Sequence, residues 1–146
     1  SGPETASFIS SVYEDLFNRA PDPGGLNYWY DFLTANIGDP QSVGVFIMAV
    51  INGAQNTATW GLDQDTIANK VYIADLTTQA LDAARIDFGL APTPANQFAH
   101  TIIGEVDSTS GSVDAAKNAI MDFTDAHSEV EVVLVGAAPD TEPVLL

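Results

Sequence analysis

A loop followed by a run of aromatic residues constrains the fold of this chain more than any other segment. The segment spans residues 18–33 and has the sequence NRAPDPGGLNYWYDFL. The Asp22 carboxylate can cap a helix, and Pro23 suits the first helical position, where no backbone N–H partner is needed. Gly24 and Gly25 allow another group to approach the backbone closely. These residues predict a tight loop that leads into an aromatic helix, and they supply no nucleophile, base or metal cage.

The charge of the chain excludes several classes of partner. The 146 residues include 20 acidic and 4 basic side chains, for a formal net charge of -16. Such a charge repels nucleic acid phosphates and anionic lipid headgroups, and it keeps a protein soluble in calcium-rich surroundings. Calcium is therefore the one ion that we consider as a cofactor. No apolar run reaches the roughly 18 residues that a membrane span needs, so we expect no membrane insertion.

Chain composition also limits the chemistry. Because the sequence has no cysteine, disulfides, thiolate metal sites and a cysteine nucleophile are excluded. The two histidines, His100 and His127, fall in different predicted helices with no serine nucleophile signature nearby. Acidic pairs are explained by helix caps and solvated faces in so acidic a chain, and an enzyme that uses facing carboxylates is the weakest of three hypotheses. We expect no catalytic residues.

Helical periodicity predicts an all-α fold, a single compact bundle of about six helices over residues 7–128. The helices are expected to begin near residues 5, 22, 39, 63, 94 and 112. On the fourth, Ile67, Val71 and Leu81 share the face that we expect to be buried. Residues 1–6 are predicted to be a linker or a cloning remnant. The β-branched run EVEVVLV predicts an extended strand and a linker tail over 129–146, and we expect the chain to be a domain cut from a longer protein.

The segment DSTSGSVD, residues 107–114, is the best candidate for a calcium loop. It offers the oxygens of Asp107, Thr109 and Asp114, and hard cations prefer oxygen ligands in flexible acidic loops. The segment lacks the closing glutamate of an EF-hand loop, because Asn118 stands at that position. Helix capping by a serine of the same segment is the alternative explanation, and we favour it over a metal.

The aromatic helix permits two interpretations. On a helical wheel Trp29 lies in one apolar arc, whereas Tyr28 and Phe32 lie nearly opposite. The favoured interpretation makes this the central helix, buried on both sides, with Trp29 in the core. The alternative is that Tyr28, Phe32 and Trp60 form an exposed patch that binds a sugar or a protein partner. The exposure of Tyr28 distinguishes the two.

The stretch FISSVYEDLFNRAPDPGGLNYWYDFLT resembles a bacterial domain of unknown function that occurs in large secreted proteins of the calcium-repeat (RTX) and surface-layer-like types. The shared motif is PDxxGLxYW, and the first helices are distantly similar to phycobilisome linker domains. The matching positions are Phe8, Val12, Tyr13, Leu16, Arg19, Pro21, Asp22, Gly25, Leu26, Tyr28 and Trp29. The motif covers about the first third of the chain, and similarity to the segments that commonly follow it extends to about residue 123.

The resemblance implies an extracellular or cell-surface module of a multi-domain protein, and it implies no activity. Our leading hypothesis is a non-catalytic structural or interaction module, with calcium-assisted assembly as an option. Its partners are then a protein or glycan at the cell surface and neighbouring domains of the same polypeptide. The alternative is a carbohydrate-binding module that uses the exposed aromatics. Phe32 departs from the family pattern, which favours polar residues there.

Arg19 has a predicted structural role that follows from its position. It is one of four cations and lies at the end of the first helix, where it can donate to the last carbonyls or pair with Asp22 or Asp15. We expect Arg19 to brace the PDPGG loop, together with the cap at Asp22 and the close approach at Gly25.

Overall fold

The computed structural model describes residues 2–56, 61–89 and 92–128, and these form six helices. They are α1 (Gly2–Phe17), α2 (Pro23–Ala35), α3 (Ser42–Asn56), α4 (Gly61–Ala83), α5 (Pro94–Glu105) and α6 (Ser110–His127). The predicted all-α bundle is confirmed, and the described residues contain no strand. Trp60 and the predicted strand and tail over 129–146 lie outside the described residues. None of the described helices has the length and apolar character that a bilayer crossing requires.

Local sequence signals account for the start of three helices. Asp22 caps α2 by accepting a hydrogen bond from the backbone N–H of Gly25 at 2.8 Å, and a proline follows the cap. Thr93 caps α5 in the same way, again with a proline after it. Thr109 caps α6. The sequence favoured Ser110 or Ser112 as the cap, and neither has this role. Side-chain oxygens at these positions satisfy N–H groups that have no partner within the helix.

Other boundaries differ from the predicted ones. Helix α1 already begins at Gly2, ahead of the predicted start near residue 5. Helix α3 begins at Ser42, because residues 39–41 form a turn in which Asp39 accepts from the N–H of Gln41. Helix α4 ends at Ala83 rather than near Gly89, because Arg85 takes a left-handed conformation with φ of 57°. A non-glycine residue in this region ends a helix as a glycine does, at a small conformational cost.

Helix α4 is the centre of the bundle. It packs against α1 and α3 on one side and against α5 and α6 on the other, whereas α2 packs against α1 and α3. The interpretation that α2 is sandwiched between the two halves of the chain is therefore wrong. The aromatic content of α2 favoured it, but a helix at the rim of the bundle can also carry several rings when some of them stay exposed.

The buried face of α4 is also different from the predicted one. Its buried residues are Asp63, Thr66, Lys70, Ile73, Thr77 and Leu81, whereas Val71 is 63% exposed. The threonines bury their hydroxyls by donating to carbonyls one turn earlier, Thr66 to Leu62 and Thr77 to Ile73. A prediction from apolar periodicity misplaces this face because four of its six residues are polar.

Two apolar clusters form the core. The first joins α1, α2 and α3 through Ile9, Tyr13, Phe17, Leu33, Phe46, Val50 and Ala54. The second joins α4, α5 and α6 through Ile73, Ile102, Val106, Ala116 and Ile120. Helix α4 takes part in both, because its Ile67 packs against the first cluster. The two halves of the bundle are therefore linked by one shared helix.

Candidate functional site

A polar junction, defined as Asn18, Arg19, Asp63 and Lys70, connects the two halves of the bundle. Asn18 follows α1 with φ of 55°, and its N–H donates to the carbonyl of Glu14 at 2.8 Å. This left-handed residue closes the helix and directs its amide side chain towards α4 and the end of α5. The amide Nδ2 donates to the Val106 carbonyl at 3.0 Å, while Oδ1 accepts from Lys70 Nζ at 2.7 Å.

Lys70 places a cation inside the bundle. The residue is 7% exposed, and its Nζ also donates to the carbonyl of Asp15 at 2.7 Å. Burial lowers the pKa of the Lys70 ammonium, while the negative charges of Asp15 and Glu14 act in the opposite direction. A buried ammonium is tolerated when its protons are donated to fixed oxygens. Lys70 therefore acts as a cross-link between α4 and the end of α1.

Arg19 forms a two-pronged ion pair with Asp63 of α4. Its Nε donates to Oδ1 at 2.9 Å, and its NH2 group donates to Oδ2 at 2.5 Å. The guanidinium also lies over the rings of Tyr13 and Phe17, 5.6 and 5.5 Å from their centroids, where cation–π attraction adds to the pair. The hydrogen bonds to Asp63 hold the pKa of Arg19 above its ordinary value.

The residue that forms the two-pronged pair with Arg19 was not among those that the sequence favoured, although the charge of Asp22 also acts on Arg19. Asp22 and Asp15 are its near neighbours in the chain, whereas Asp63 is 44 residues away. The sequence offers Asp63 or Asp65 as a cap for the fourth helix, whereas Asp63 lies in the first turn of α4 with a buried side chain. Arg19 also contacts its own loop, where its NH1 donates to the Ala20 carbonyl at 3.1 Å.

The PDPGG loop is fitted against α1. A Cβ atom at Gly25 would lie 3.3 Å from the Asp22 carboxylate and 3.5 Å from the Tyr13 hydroxyl, so a side chain there is tightly accommodated. Burial raises the pKa of Tyr13, and its hydrogen bond with Trp29 partly opposes the rise. Because an indole N–H can only donate, Tyr13 accepts this bond. Trp29 also packs edge-on against Phe46 at 5.0 Å and is partly buried in the first cluster.

Tyr28 and Phe32 are placed differently from each other. Tyr28 is 63% exposed and packs edge-on against Trp29 with centroids 4.8 Å apart. Phe32 is partly buried against the first cluster, 5.8 Å from Trp29. The expectation that Tyr28 is buried is wrong, because α2 packs mainly against α1 and α3 and does not lie between the two halves of the chain. The exposed-patch hypothesis keeps Tyr28 as its main residue, and Trp60 lies outside the described residues.

The residues proposed as calcium ligands have local structural roles. Asp107 Oδ1 accepts from the N–H of Thr109 at 2.8 Å and from its hydroxyl at 2.6 Å. These hydrogen bonds lower the pKa of Asp107. Asp114 lies on α6, 3.8 Å from Lys117. No group of three or more acidic, histidine or cysteine side chains in the described ranges is arranged to hold a metal ion, so the calcium site stays a prediction without supporting geometry.

An open cleft of about 580 Å³ lies beside the polar junction and brings three carboxylates together, those of Asp22, Asp63 and Asp107. Each accepts hydrogen bonds within the fold, from Gly25, Arg19 and Thr109 respectively. A general acid needs a raised pKa to hold its proton near neutral pH, whereas the pKa of Asp107 is lowered. The carboxylates that line this cleft therefore cap a helix, pair with Arg19 or stabilise a local turn.

The two histidines lie on different helices, and neither lines this cleft. His100 is an exposed residue of α5, and His127 is exposed at the end of α6. The imidazole of His127 stacks on Phe123 with centroids 4.1 Å apart, and its Nδ1 lies 2.9 Å from the Phe123 carbonyl. The placement of His127 agrees with a histidine that contacts the terminal carbonyls of its helix.

Sequence reasoning missed an exposed, uncharged face on α3. We define the α3 outer face as Gly44, Val45, Met48, Ile51 and Asn52, which share one arc of the helical wheel. Val45 is 51% exposed and Met48 is 57% exposed. Gly44 and Asn52 are also exposed, whereas Ile51 is partly buried. Alone among the six helices, α3 contains no Asp, Glu, Lys or Arg. The available signal was the absence of charge between Asp39 and Asp63, in a chain with 24 charged residues, 20 acidic plus 4 basic.

Comparison with known proteins gives one match. Residues 1–46 match the family model of a domain of unknown function (DUF4214). No curated protein and no solved structure matches the chain. The match ends inside α3, so the predicted extension of the similarity to about residue 123 stays a prediction. The N-terminal 46 residues are thus similar to a bacterial domain of unknown function, as expected.

Proposed function

We propose that this chain is a non-catalytic structural and interaction module of a larger secreted, cell-surface-associated bacterial protein. The observation that carries the proposal is the α3 outer face. Exposed apolar surface costs free energy in water, and a contiguous patch of it is typical of a surface that contacts another molecule. On a chain with a net charge of -16, an uncharged helix face is the place where contact with another protein meets least repulsion.

The polar junction supports the same proposal, because it makes the bundle a rigid carrier for this face. Two of the four cations, the buried Lys70 and the partly exposed Arg19, bind oxygens of the fold itself. No buried side-chain nitrogen or oxygen in the described residues lacks a hydrogen-bond partner. Fully paired interior groups stabilise one arrangement of helices. The proposed role is thus to present a fixed surface to neighbouring domains of the polypeptide or to a protein at the cell surface.

Surface retention of the full-length protein tests the proposal. Met48→Glu puts a carboxylate on the α3 outer face, and Met121→Glu is the matched control, since the two methionines are 57% and 56% exposed. Each variant is introduced into the parent gene in its bacterium, and the fraction of protein on the cell surface is measured by protease accessibility. We expect Met48→Glu to be released into the medium while Met121→Glu is retained. Equal retention of both variants would overturn the proposal.

Carbohydrate binding is the second candidate, and the exposure of Tyr28 favours it. A tyrosine that is 63% exposed and supported edge-on by Trp29 offers a ring face for stacking. Glycan-array binding of the 146-residue chain tests this role, with Tyr28→Ala as the variant. Tyr72→Ala is the control, because Tyr72 is 48% exposed on α4. Binding that is lost in Tyr28→Ala alone supports this candidate, and the absence of glycan binding by the unmodified chain rejects it.

Calcium-assisted assembly is tested separately, by melting the chain in millimolar calcium and in chelator. A ligand that binds only the folded state raises the melting temperature. If the segment 107–114 holds the ion, we expect calcium to raise the melting temperature of the unmodified chain but not that of Asp107→Asn. An unchanged melting temperature would contradict a folded-state site.

A further inference from the structure

We propose that a cleft at the carboxyl end of α4 binds a short apolar peptide in its zwitterionic form, with both termini free and charged. The cleft has a volume of about 690 Å³, and its lining includes Leu81, Asp82, Arg85, Ile86, Asp87 and Phe88. It lies at the other end of α4 from Asp63 of the polar junction. No residue of the α3 outer face lines it, so this inference goes beyond the proposed function and does not depend on it.

Arg85 is the one cation whose side chain the fold does not use within the described residues. The other three, Arg19, Lys70 and Lys117, each contact a carboxylate or a carbonyl oxygen. The exposed guanidinium of Arg85 forms no ion pair and no hydrogen bond with any residue that the structure describes. In a chain with 20 acidic side chains, this leaves a cation available for a ligand.

The backbone holds Arg85 in a conformation that a side chain disfavours. Its φ of 57° is left-handed, a region that glycine occupies at helix ends without steric cost. The other non-glycine residue with a positive φ in the described ranges is Asn18, whose side chain belongs to the polar junction. Non-glycine residues in this conformation are concentrated at functional sites. Arginine rather than glycine at the end of α4 therefore indicates a use for its guanidinium.

Local contacts on both sides fix the shape of the cleft. The N–H of Ile86 donates to the Leu81 carbonyl at 2.9 Å, which closes the end of α4. After Phe88, the chain approaches itself closely at Gly89, where a Cβ atom would lie 2.5 Å from Thr93 Cγ2. The Thr93 hydroxyl donates to the Phe88 carbonyl at 2.6 Å. The walls of the cleft are thus set by the fold, as is usual for sites that bind small ligands.

The charges of the lining select a ligand that carries both signs. An arginine guanidinium binds a carboxylate through two parallel hydrogen bonds. Asp82 and Asp87 line the same cleft and, with the net charge of -16, repel a ligand that is only anionic. A ligand ammonium beside either carboxylate offsets this repulsion. Because Arg85 pairs with neither aspartate, the two charges of the ligand must also lie apart, as those of the two termini of a short peptide do.

The remaining lining is mainly apolar and selects the side chains of the peptide. Leu81 is 2% exposed, Ile86 is partly buried and Phe88 is 42% exposed. Covering such surface with an apolar side chain removes it from water, which favours binding. The volume of about 690 Å³ lies within the roughly 300 to 1,000 Å³ of small-molecule sites and suits a dipeptide. Because the cleft is open to solvent, we expect a Kd on the order of 1 mM.

Titration with leucyl-leucine, followed by the amide NMR shifts of the isotope-labelled 146-residue chain, tests the site up to about 10 mM peptide, well above the expected Kd. We expect saturable shifts that are concentrated at residues 78–88, which contain the lining of the cleft. Acetylation of the amino terminus of the peptide and amidation of its carboxyl terminus should each weaken binding about tenfold, because each removes a charged hydrogen bond.

Variants of the charged lining residues test the assigned contacts. Arg85→Gly removes the guanidinium and suits the left-handed backbone, so it should fold and bind the free peptide about tenfold more weakly. Lys117→Met removes an exposed cation elsewhere and should bind as the unmodified chain does. The double variant Asp82→Asn with Asp87→Asn should reduce the difference in affinity between the free and the acetylated peptide. Circular dichroism checks that each variant folds.

Several results would overturn the inference. One is the absence of saturable shifts at these peptide concentrations, and another is binding that Arg85→Gly leaves unchanged. Equal affinities for the free and the blocked peptides would also contradict it, because the cleft would then bind apolar groups without regard to charge. None of these results bears on the α3 outer face, whose role in surface retention is measured separately with Met48→Glu.

Discussion

The two halves of the bundle are built from different kinds of core. The first cluster contains three buried aromatic residues, Tyr13, Phe17 and Phe46, whereas the buried residues of the second are isoleucine, valine and alanine. Large rings fill the space among α1, α2 and α3, and small side chains such as Ala116 allow α6 to approach α4 closely. The halves meet at α4 and at the polar junction. The comparison indicates that apolar packing builds each half, whereas the buried polar contacts, together with the packing of Ile67, fix one half on the other.

The largest expected effect is the loss of a central ring or branched chain from either core. Phe46 and Ile73 are both 0% exposed. We expect Phe46→Ala to lower the free energy of unfolding by about 3 to 5 kcal/mol and Ile73→Ala by about 2 to 5 kcal/mol. Urea denaturation followed by circular dichroism measures both. Because α4 belongs to both cores, each variant should unfold in a single transition. If the Phe46→Ala variant unfolds in two transitions, with α4 to α6 unfolding as in the unmodified chain, the two halves are independent domains.

Removing the buried cation tests the junction itself. Lys70→Met keeps much of the apolar stem but leaves the Asp15 carbonyl and the Asn18 amide oxygen without their donor. An unpaired buried acceptor costs about 1 to 3 kcal/mol, so we expect a loss of that size in the free energy of unfolding. Lys117→Met is the control, since a surface pair contributes about 0 to 1 kcal/mol. Equal losses in the two variants would show that Lys70 does not brace the halves.

Loss of the Arg19 pair should lower the free energy of unfolding within the same range as Lys70→Met but nearer its lower end, because the arginine is partly exposed. Its side chain is 35% exposed, against 8% for that of Asp63. We expect Arg19→Ala to lower the free energy of unfolding by about 1 to 3 kcal/mol, and Arg19→Lys to lose less because it keeps the charge. A double-mutant cycle with Asp63→Asn isolates the pair. Strictly additive losses would mean that Arg19 acts through its contacts with Tyr13 and Phe17 instead.

The smallest expected effect is a dependence on pH. Burial lowers the pKa of Lys70 below its ordinary value of 10.5, so between the lowered value and 10.5 the unfolded chain binds more protons than the folded one. The contribution of Lys70 to the free energy of unfolding therefore rises with pH across that window. We expect the stability of the unmodified chain, measured relative to Lys70→Met, to increase with pH there. Tyr13, whose pKa burial raises, is present in both proteins and cancels. A relative stability that falls with pH would mean that nearby carboxylates outweigh burial.

Local signals in the sequence were sufficient to predict the helices and most of their starts. The cap at Asp22 followed by Pro23, and the proline at position 94, act within a few residues and can be identified without the fold. The PDPGG loop could also be predicted from its own residues. Its predicted cap is present, and its tight fit around Gly25 follows from the residues themselves.

Contacts between distant residues could not be predicted in this way. Nothing in the neighbourhood of Arg19 indicates Asp63, which lies 44 residues away. The buried face of α4 was misplaced because hydropathy assigns Asp63, Lys70 and Thr77 to solvent, although each is buried with a partner. Burial of such groups depends on partners that only the tertiary structure supplies. The exposure of Val45 and Met48 was not predicted, because hydropathy alone does not separate an exposed apolar residue from a buried one.

Native-state hydrogen exchange tests most directly the claim that the polar junction and α4 unite the two halves. The measurement compares opening free energies of the slowest amides near Ile9 and Phe46 with those near Ile73 and Ile120. We predict that the two sets agree within about 1 kcal/mol and fall together in Lys70→Met, because both halves open in one cooperative unit. If α1, α2 and α3 exchange with a free energy of their own that Lys70→Met leaves unchanged, the halves are separate units and the account is contradicted.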